Sequence, residues 1–428
     1  MSQQDRVIVI ASVGTGRNRE DIARAIVYSL EEHRADHAVF LCSAKTCQET
    51  LPEIRKRLGW PDDRVKVHTC ADEDDVQRLF IEWNEQWDRW PAVHPPARVI
   101  VDFTSGTKPM SAAAVMLAVS REAHCLSYVV GERDETGRVT QSTAVRTIAP
   151  DLIVAHRQLR LAVEHFHAGN FAAARSIAEP YCREGTLPVE GLRKIALSIH
   201  YVATAYEAWD RFDYRQAAAS LRDSERYWKT WTWLDGQARL ADNRTLIVKA
   251  RESCQSGRFG PALAADLLAN ADRCAQREDW DDAVARLYRL CEMLAQMRLL
   301  EKFDISTGDV DPQKLPGNLG RACAERKEKA AGGKLKLGLY DAFALLAELD
   351  DPLGREFDGR YGTFEKPGPL QGLLNARNQS LLAHGTVPIG GDKADQLRRH
   401  VEALARTADA SILDEWLPKA TAVRFGPF

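Results

Sequence analysis

The stretch RVIVDFTSGTKPMSAAAVMLAVSR, Arg98–Arg121, decides the fold class. Its first six residues, Arg98–Phe103, read as a strand centred on the β-branched Val99, Ile100 and Val101, as expected of a strand covered on both faces. Its last twelve, Met110–Arg121, are small and apolar and suit a helix. Between them lie Thr104, Ser105, Gly106, Thr107 and Lys108: three hydroxyls, a glycine that permits close approach, and a cation at a helix start. Strand, tight turn and helix in that order make one βα unit.

The alternation extends in both directions. Upstream, Val7–Val13 is a continuous apolar run, and Asn18–His33 has helical spacing through Ile22, Ala25, Ile26, Ser29 and Leu30. Ala38–Cys42 follows as a strand, Thr46–Leu58 as one helix, Val65–His68 as a short strand, and Asp72–Trp87 as a helix with Val76, Leu79, Phe80 and Trp83 on one face. Downstream, Cys125–Val130 and Val139–Ile148 read as strands flanking a turn at Glu135–Gly137. One apolar run alone would equally suit a buried helix segment. Six runs in alternation predict an α/β domain over residues 1–150, a doubly wound, mostly parallel, Rossmann-like sheet.

From about residue 152 strand runs give way to helical spacing, so the chain reads as α/β plus all-α. Residues 151–274 are expected to form a helical connector and residues 275–428 a C-terminal helical domain. HFHAGNFAAARSIAEP (165–180) and AWDRFDYRQAAASLRD (208–223) look alike, and REDWDDAVARLYRLCE (277–292) shares their aromatic–x–x–Ala pattern. The pattern is that of tetratricopeptide-type hairpins, but the irregular spacing argues for a connector rather than a repeat array. Trp228, Trp231 and Trp233 suit packing better than a ligand box. The basic stretch Lys314–Lys336 reads as a loop, solvated or in contact with RNA phosphates.

Composition narrows the classes. The chain has 428 residues, 58 Lys plus Arg against 61 Asp plus Glu, a formal charge of −3 and 45% hydrophobic residues. That excludes global disorder and a strongly basic nucleic-acid coat. Mean hydropathy is −0.36, and no stretch approaches the roughly 18 apolar residues of a membrane span. MSQQDRVIVIASVG leads straight into a strand without signal-peptide features. Nine scattered cysteines with no CxxC suit free thiols in a reducing cytoplasm, not a disulfide framework or zinc site. No HExxH or other tight metal spacing occurs, so no metal is expected.

Three segments carry chemistry. SVGTGRN, Ser12–Asn18, ends the first strand, where open α/β sheets bind ligands. Ser12, Gly14, Thr15, Gly16, Arg17 and Asn18 are its candidates. A nicotinamide fingerprint would need glycine at position 19, which is Arg19, and no P-loop is present. Thr104–Lys108 ends the fourth strand and enters a helix whose N-terminus favours phosphate. Ser43, at the second strand end, is a further candidate. The third segment is NARNQSLLAHG, Asn375–Gly385. On one helix, Arg377 and His384 would share a face about 10.5 Å apart along the axis, with Asn378 beside Arg377.

Together these residues resemble a known family. D-x-T-x-G-T-K (Asp102, Thr104, Gly106, Thr107, Lys108) in an N-terminal Rossmann-like domain, with a C-terminal R-N-x5-H (Arg377, Asn378, His384), resembles the CARF–HEPN ribonucleases of type III CRISPR systems. One departure is Ser105, where the common pattern has a second glycine. The resemblance implies a homodimer that binds a cyclic oligoadenylate, tetra- or hexa-adenylate, between its CARF domains through Ser12–Asn18 and Thr104–Lys108. Binding would activate cleavage of single-stranded RNA by paired HEPN motifs in an antiviral role. It implies no cofactor, with the messenger as allosteric activator, and no membrane partner. The implied reaction is metal-independent: the RNA 2′-hydroxyl attacks the adjacent phosphate, leaving a 2′,3′-cyclic phosphate and a 5′-hydroxyl. His384 would act as general acid or base or orient the 2′-hydroxyl, Arg377 would stabilise the transition-state phosphate, and Asn378 would orient the pair. DNA, lacking the 2′-hydroxyl, would not be cut.

Two other readings fit the residues. One is a non-catalytic nucleotide sensor that recruits a partner, which would have no use for the Arg–His pair. The other is a CARF pocket that degrades its own messenger, with Thr15, Thr104 and Lys108 placed to help.

Overall fold

The computed structural model describes residues 6–15, 19–90, 97–133, 139–187, 189–228, 236–315, 317–329, 334–363, 365–380 and 385–426. They divide into two compact units, residues 1–158 with 184–192, and residues 159–183 with 193–428.

The first unit is built on β1 (Arg6–Val13), α1 (Arg19–Glu32), β2 (His37–Cys42), α2 (Ala44–Glu49), α3 (Leu51–Leu58), β3 (Val65–Thr69), α4 (Val76–Trp87), β4 (Ala97–Asp102), α5 (Lys108–Ser120), β5 (Cys125–Arg133) and β6 (Val139–Ile148). The six strands lie in the order β3-β2-β1-β4-β5-β6. The first four neighbouring pairs are parallel, with Ala11 opposite Asp102 between β1 and β4. This is the expected α/β sheet. Only β6 runs antiparallel to β5. The five residues between them are too few for the crossover that a parallel strand needs.

The continuous apolar runs arise because both faces of the sheet are covered. Ile8, Ile10, Val39, Leu41, Val99 and Val101 pack with Leu79, Trp83 and the small residues Ala113, Ala114 and Ala118 of α4 and α5. Their neighbours Val9, Ala11, Val13, Ala38 and Phe40 point the other way, against Ile26, Leu30 and Ile54 of α1 and α3.

Two helices differ from expectation. Thr46–Leu58 is not one helix: it breaks at Thr50, because Pro52 enters the first turn of α3 and cannot continue α2. Asp72–Trp87 becomes helical only at Val76. Asp75 caps it, its carboxylate accepting the N–H groups of Gln77 and Arg78.

The second unit is helical. Into it runs α6 (Asp151–His167), followed by α7 (Phe171–Ala178), α8 (Glu190–Asp210), α9 (Tyr214–Trp228), α10 (Gly236–Ser256), α11 (Pro261–Gln276) and α12 (Trp280–Phe303). Then come α13 (Gly317–Lys329), α14 (Leu339–Glu348), α15 (Pro352–Tyr361), α16 (Pro369–Asn378), α17 (Gly391–Ala408) and the short α18 (Leu417–Lys419).

The three look-alike segments make one and the same turn. Gly169, Phe212 and Glu278 adopt positive φ. The N–H of the next residue, Asn170, Asp213 or Asp279, reaches back to the carbonyl of His165, Ala208 or Cys274 at 2.8–3.0 Å. This is the six-to-one closure of a helix C-terminus. The aromatic that follows (Phe171, Tyr214 or Trp280) opens the next helix, and the alanine three residues on (Ala174, Ala217 or Ala283) is buried.

Residues 193–274 fall within the second unit. The C-terminal segment explains why. Asn243 of α10 donates to the carbonyls of Lys419 and Thr421, Val423 N–H donates to the Tyr206 hydroxyl, and Phe425 N–H donates to His167. The last residues of the chain thus stitch together α6, α8 and α10.

The Lys314–Lys336 stretch is not a loop throughout, since it contains α13. Its Lys314, Lys327 and Arg326 pair with Asp304, Asp309 and Asp341. Trp231, Trp233 and the Trp228 side chain lie outside the described residues. Among the described residues no helix is long and apolar enough to cross a membrane.

Candidate functional site

Strand order places the first candidate. The chain goes from β1 outward through β2 and β3, then returns to place β4 on the other side of β1. The C-terminal ends of β1 and β4 therefore flank the switch point where open sheets bind ligands. Ser12–Thr15 and Thr104–Lys108 meet there. The Ser12 hydroxyl donates to the Ser105 carbonyl, and the Ser105 hydroxyl donates to the Ser12 carbonyl at 2.7 Å. Gly14 N–H donates to Ser105 Oγ at 3.2 Å. The loops are so close that a Cβ on Gly14 would sit 2.6 Å from Gly106 N, and Gly106 has φ +111°. Both glycines are needed where they stand.

This geometry redistributes the candidate roles. Ser12 and Ser105 are buried, and their hydroxyls hold the loops together. Thr107 caps α5, accepting Met110 N–H, and donates to the Glu73 carbonyl at 2.8 Å. Thr104 Oγ1 accepts Val129 N–H at 2.9 Å. Ser43, a candidate from sequence, is buried and closes a capping box with Thr46 at the start of α2. Thr15 is half-buried, and Lys108 is exposed on the first turn of α5. Gly16, Arg17 and Asn18 lie outside the described residues.

Sequence reasoning placed Asp102 in the motif but missed its part in the support beneath this edge. Asp102 is fully buried and accepts the Ser29 hydroxyl and, at 2.8 Å, Thr104 N–H. Burial pushes its carboxyl upward, against those hydrogen bonds and nearby His33. Burial lowers His33 in turn, and its Nε2 is hydrogen-bonded to Ser127 at 2.8 Å. Nothing in the motif signals Ser29 or Ser127, which come from other elements.

The second candidate lies within the helical unit. Leu370, Leu373 and Leu374 bury one face of α16, leaving Arg377 and Asn378 half-buried in its last turn. The helix ends there. Gln379 N–H reaches back to Asn375 and Ala376, and Ser380 N–H to Arg377. The expectation of one helix carrying Arg377 and His384 on a shared face therefore fails. Residues 381–384, His384 among them, lie outside the described residues. On the far side, Gly385 N–H donates to the Ser380 carbonyl at 3.0 Å, and Val387 N–H to that of Gln379 at 3.1 Å. The chain thus returns to the end of α16. A Cβ on Gly385 would lie 2.0 Å from the Gln379 oxygen, so only glycine fits.

Arg377 Nη1 donates to Asn378 Oδ1 at 3.2 Å, and its guanidinium carbon lies 4.6 Å from the centre of the Tyr288 ring. Tyr288 belongs to α12, and burial raises its phenol although Arg377 opposes the shift. Among the described residues no group of His, Cys, Asp and Glu is arranged to hold a metal ion.

Residues 253–408 match the Csm6 HEPN domain family. That span includes both Tyr288 and Arg377. The chain is 28% identical over 388 residues to the CRISPR system endoribonuclease Csm6 of Thermus thermophilus, covering 85% of this chain and 77% of that one. Against the structure of Enterococcus italicus Csm6 bound to cyclic hexa-2′-fluoro-hexa-dAMP, the TM-score is 0.51 at 11% identity, over 97% of both chains. This last likeness is one of fold.

Proposed function

Taking the chain as a CARF–HEPN ribonuclease of CRISPR systems, which the two motifs and the Csm6 matches support, we propose that a cyclic oligoadenylate switches on its endoribonuclease activity. The observation that carries the reading is the conjunction of two sites in one chain. Arg377 and Asn378 end a helix inside the region matching the Csm6 HEPN domain. The other end of the chain holds a glycine- and hydroxyl-rich loop pair at a sheet switch point.

In this reading two copies associate, and the messenger lies against Thr15, Lys108 and the main chain around Gly14 and Gly106. Lys108 and the N-terminus of α5 offer positive charge to its phosphates. Single-stranded RNA then binds at the paired Arg377 sites. The guanidinium takes the scissile phosphate bidentately as charge builds on it. Asn378 fixes the guanidinium's rotation about its stem. His384 moves the proton of the 2′-hydroxyl or of the leaving oxygen, with an imidazole suited to that task near neutral pH. The reaction proceeds without a metal, in the cytoplasm, as part of type III antiviral defence.

The test is cleavage of a fluorogenic single-stranded RNA in EDTA, with cyclic tri-, tetra- and hexa-adenylate added one at a time. Activation by one ring size, lost in His384→Ala and Arg377→Ala, is the expected result. Tight binding of one ring with no cleavage of RNA would overturn it in favour of a sensor. Comparable cleavage of DNA would overturn the 2′-hydroxyl mechanism.

A further inference from the structure

The contact between Arg377 and Tyr288 joins two helices far apart in sequence, and neither residue type announces it. A guanidinium is a flat cation with two faces and five N–H donors around its rim. Phosphate is gripped by the rim. Tyr288 meets the face, at 4.6 Å from ring centre to guanidinium carbon. Asn378 occupies one rim donor. Together the two contacts fix the plane and the rotation of the guanidinium, yet neither blocks the remaining rim.

Tyr288 stands on a firmly anchored helix. Leu287, Leu290 and Cys291 anchor α12 in the core on either side of it. On neighbouring helices, the Tyr340 and Tyr361 rings pack with their centres 5.1 Å apart. Tyr361 stacks on Phe357 at 5.3 Å, and Phe357 on Phe343 at 3.9 Å with an interplanar angle of 7°. This aromatic column starts in the core, at Phe343 and Phe357, and runs out through Tyr361 to the exposed Tyr340.

We propose that Tyr288 is the positioning residue for Arg377: its ring holds the guanidinium plane so that the free rim faces the scissile phosphate. The proposal rests on the reading of Arg377 as the phosphate-binding group. Its effect is on orientation, so it falls on the chemical step more than on RNA binding. Loss of a half-buried stacking contact of this kind corresponds to roughly a tenfold change.

The experiment measures messenger-activated RNA cleavage by the full chain under steady-state conditions, for wild type and for Tyr288→Ala, Tyr288→Leu, Tyr288→Phe and Arg377→Ala. Expected are a fall of about tenfold in kcat for Tyr288→Ala and Tyr288→Leu, with KM changed less than threefold, and recovery of the rate in Tyr288→Phe, which keeps the ring and loses only the hydroxyl. The unfolding midpoint of Tyr288→Leu should stay near wild type. Wild-type kcat in Tyr288→Ala, or failure of Tyr288→Phe to restore the rate, overturns the positioning role. So does a rate loss matched by a lower unfolding midpoint in Tyr288→Leu. Full activity in Arg377→Ala instead overturns the reading of the ribonuclease site, which keeps the two failures apart.

Discussion

Ser12 at the end of β1 and Ser105 in the loop after β4 clasp each other, each hydroxyl donating to the other's main-chain carbonyl. The two residues are 93 positions apart in sequence, and both are buried. Where a glycine would leave room, this chain has a second serine that ties the loop after β4 to the end of β1. The Ser105 oxygen also accepts Gly14 N–H.

Removing this clasp has a calculable direction. Ser105→Ala leaves the Gly14 N–H and the Ser12 carbonyl without their partner. Orphaned buried polar groups cost about 1–3 kcal/mol. The expected outcome is a lower unfolding midpoint and several-fold weaker binding of the proposed activator, a cyclic oligoadenylate, read by calorimetry. Unchanged binding would mean that the loops hold their places without Ser105.

Gly14 tests the closeness of the same loops. Gly14→Ala puts a methyl carbon 2.6 Å from Gly106 N, a backbone atom that cannot rotate away. The loops must separate, so messenger affinity should fall by an order of magnitude or more. Gly59→Ala supplies the comparison: it has a positive φ of +60° with nothing within 4 Å, so strain there has no path to the loops. Equal effects of the two substitutions on binding would refute the steric account.

Gly385 tests the proposed ribonuclease motif from its far side. Gly385→Ala drives a methyl carbon into the Gln379 carbonyl, 2.0 Å away, and opens the return of the chain to the end of α16. RNA cleavage should fall at least tenfold, while binding of the cyclic oligoadenylate by the separate sheet unit should persist. Cleavage at the wild-type rate would show that the approach to Arg377 does not matter to the chemistry.

Asp266 predicts a pH dependence of stability. It is fully buried on α11, accepts the Tyr214 hydroxyl at 2.7 Å, and lies 3.8 Å from Arg273, which is paired more closely with Asp210 at 2.8 Å. Burial outweighs these contacts and pushes its carboxyl up to about 6. A raised carboxyl pKa means that the folded state holds a proton the unfolded chain has already lost. Its contribution is full below pH ~4 and is lost as pH rises through about 6, by roughly 3 kcal/mol across that window. Other carboxylates titrate there too, so the measurement is a difference. Urea midpoints from pH 4 to 7 should fall less steeply in Asp266→Asn than in wild type. Parallel curves would show that Asp266 is ionised throughout.

Much of the fold was legible along the chain because burial on both faces writes itself into local composition. Val7–Ala11, Ala38–Cys42 and Val99–Val101 are continuous apolar runs because, as with Ile8 and Val9, successive residues face opposite layers of helices. The three turns at Gly169, Phe212 and Glu278 were visible as look-alike segments, since a helix end followed by an aromatic start needs the same few residues each time. The placement of the two candidate motifs was legible too, for both are short runs at element ends: Thr104–Lys108 after a strand, and Arg377–Asn378 at the end of a helix.

The roles within those motifs were not. Ser43 reads as a ligand candidate until Thr46 is seen to claim it in a helix cap. Arg377 and His384 read as one helical face because spacing carries no mark of where α16 stops, and the hydrogen bonds of Gln379 and Ser380 decide that. Tyr288 gave no signal, since it lies 89 positions before Arg377 and looks like any core tyrosine. Sequence by itself determined which segments become strands and helices, and which hold the hydroxyls, glycines and cations that nucleotides and phosphates require, because those properties depend on near neighbours. Only the tertiary structure decided which of those groups are already engaged by one another and which side chain stacks on Arg377, because a hydrogen bond or a ring contact depends on distance in space.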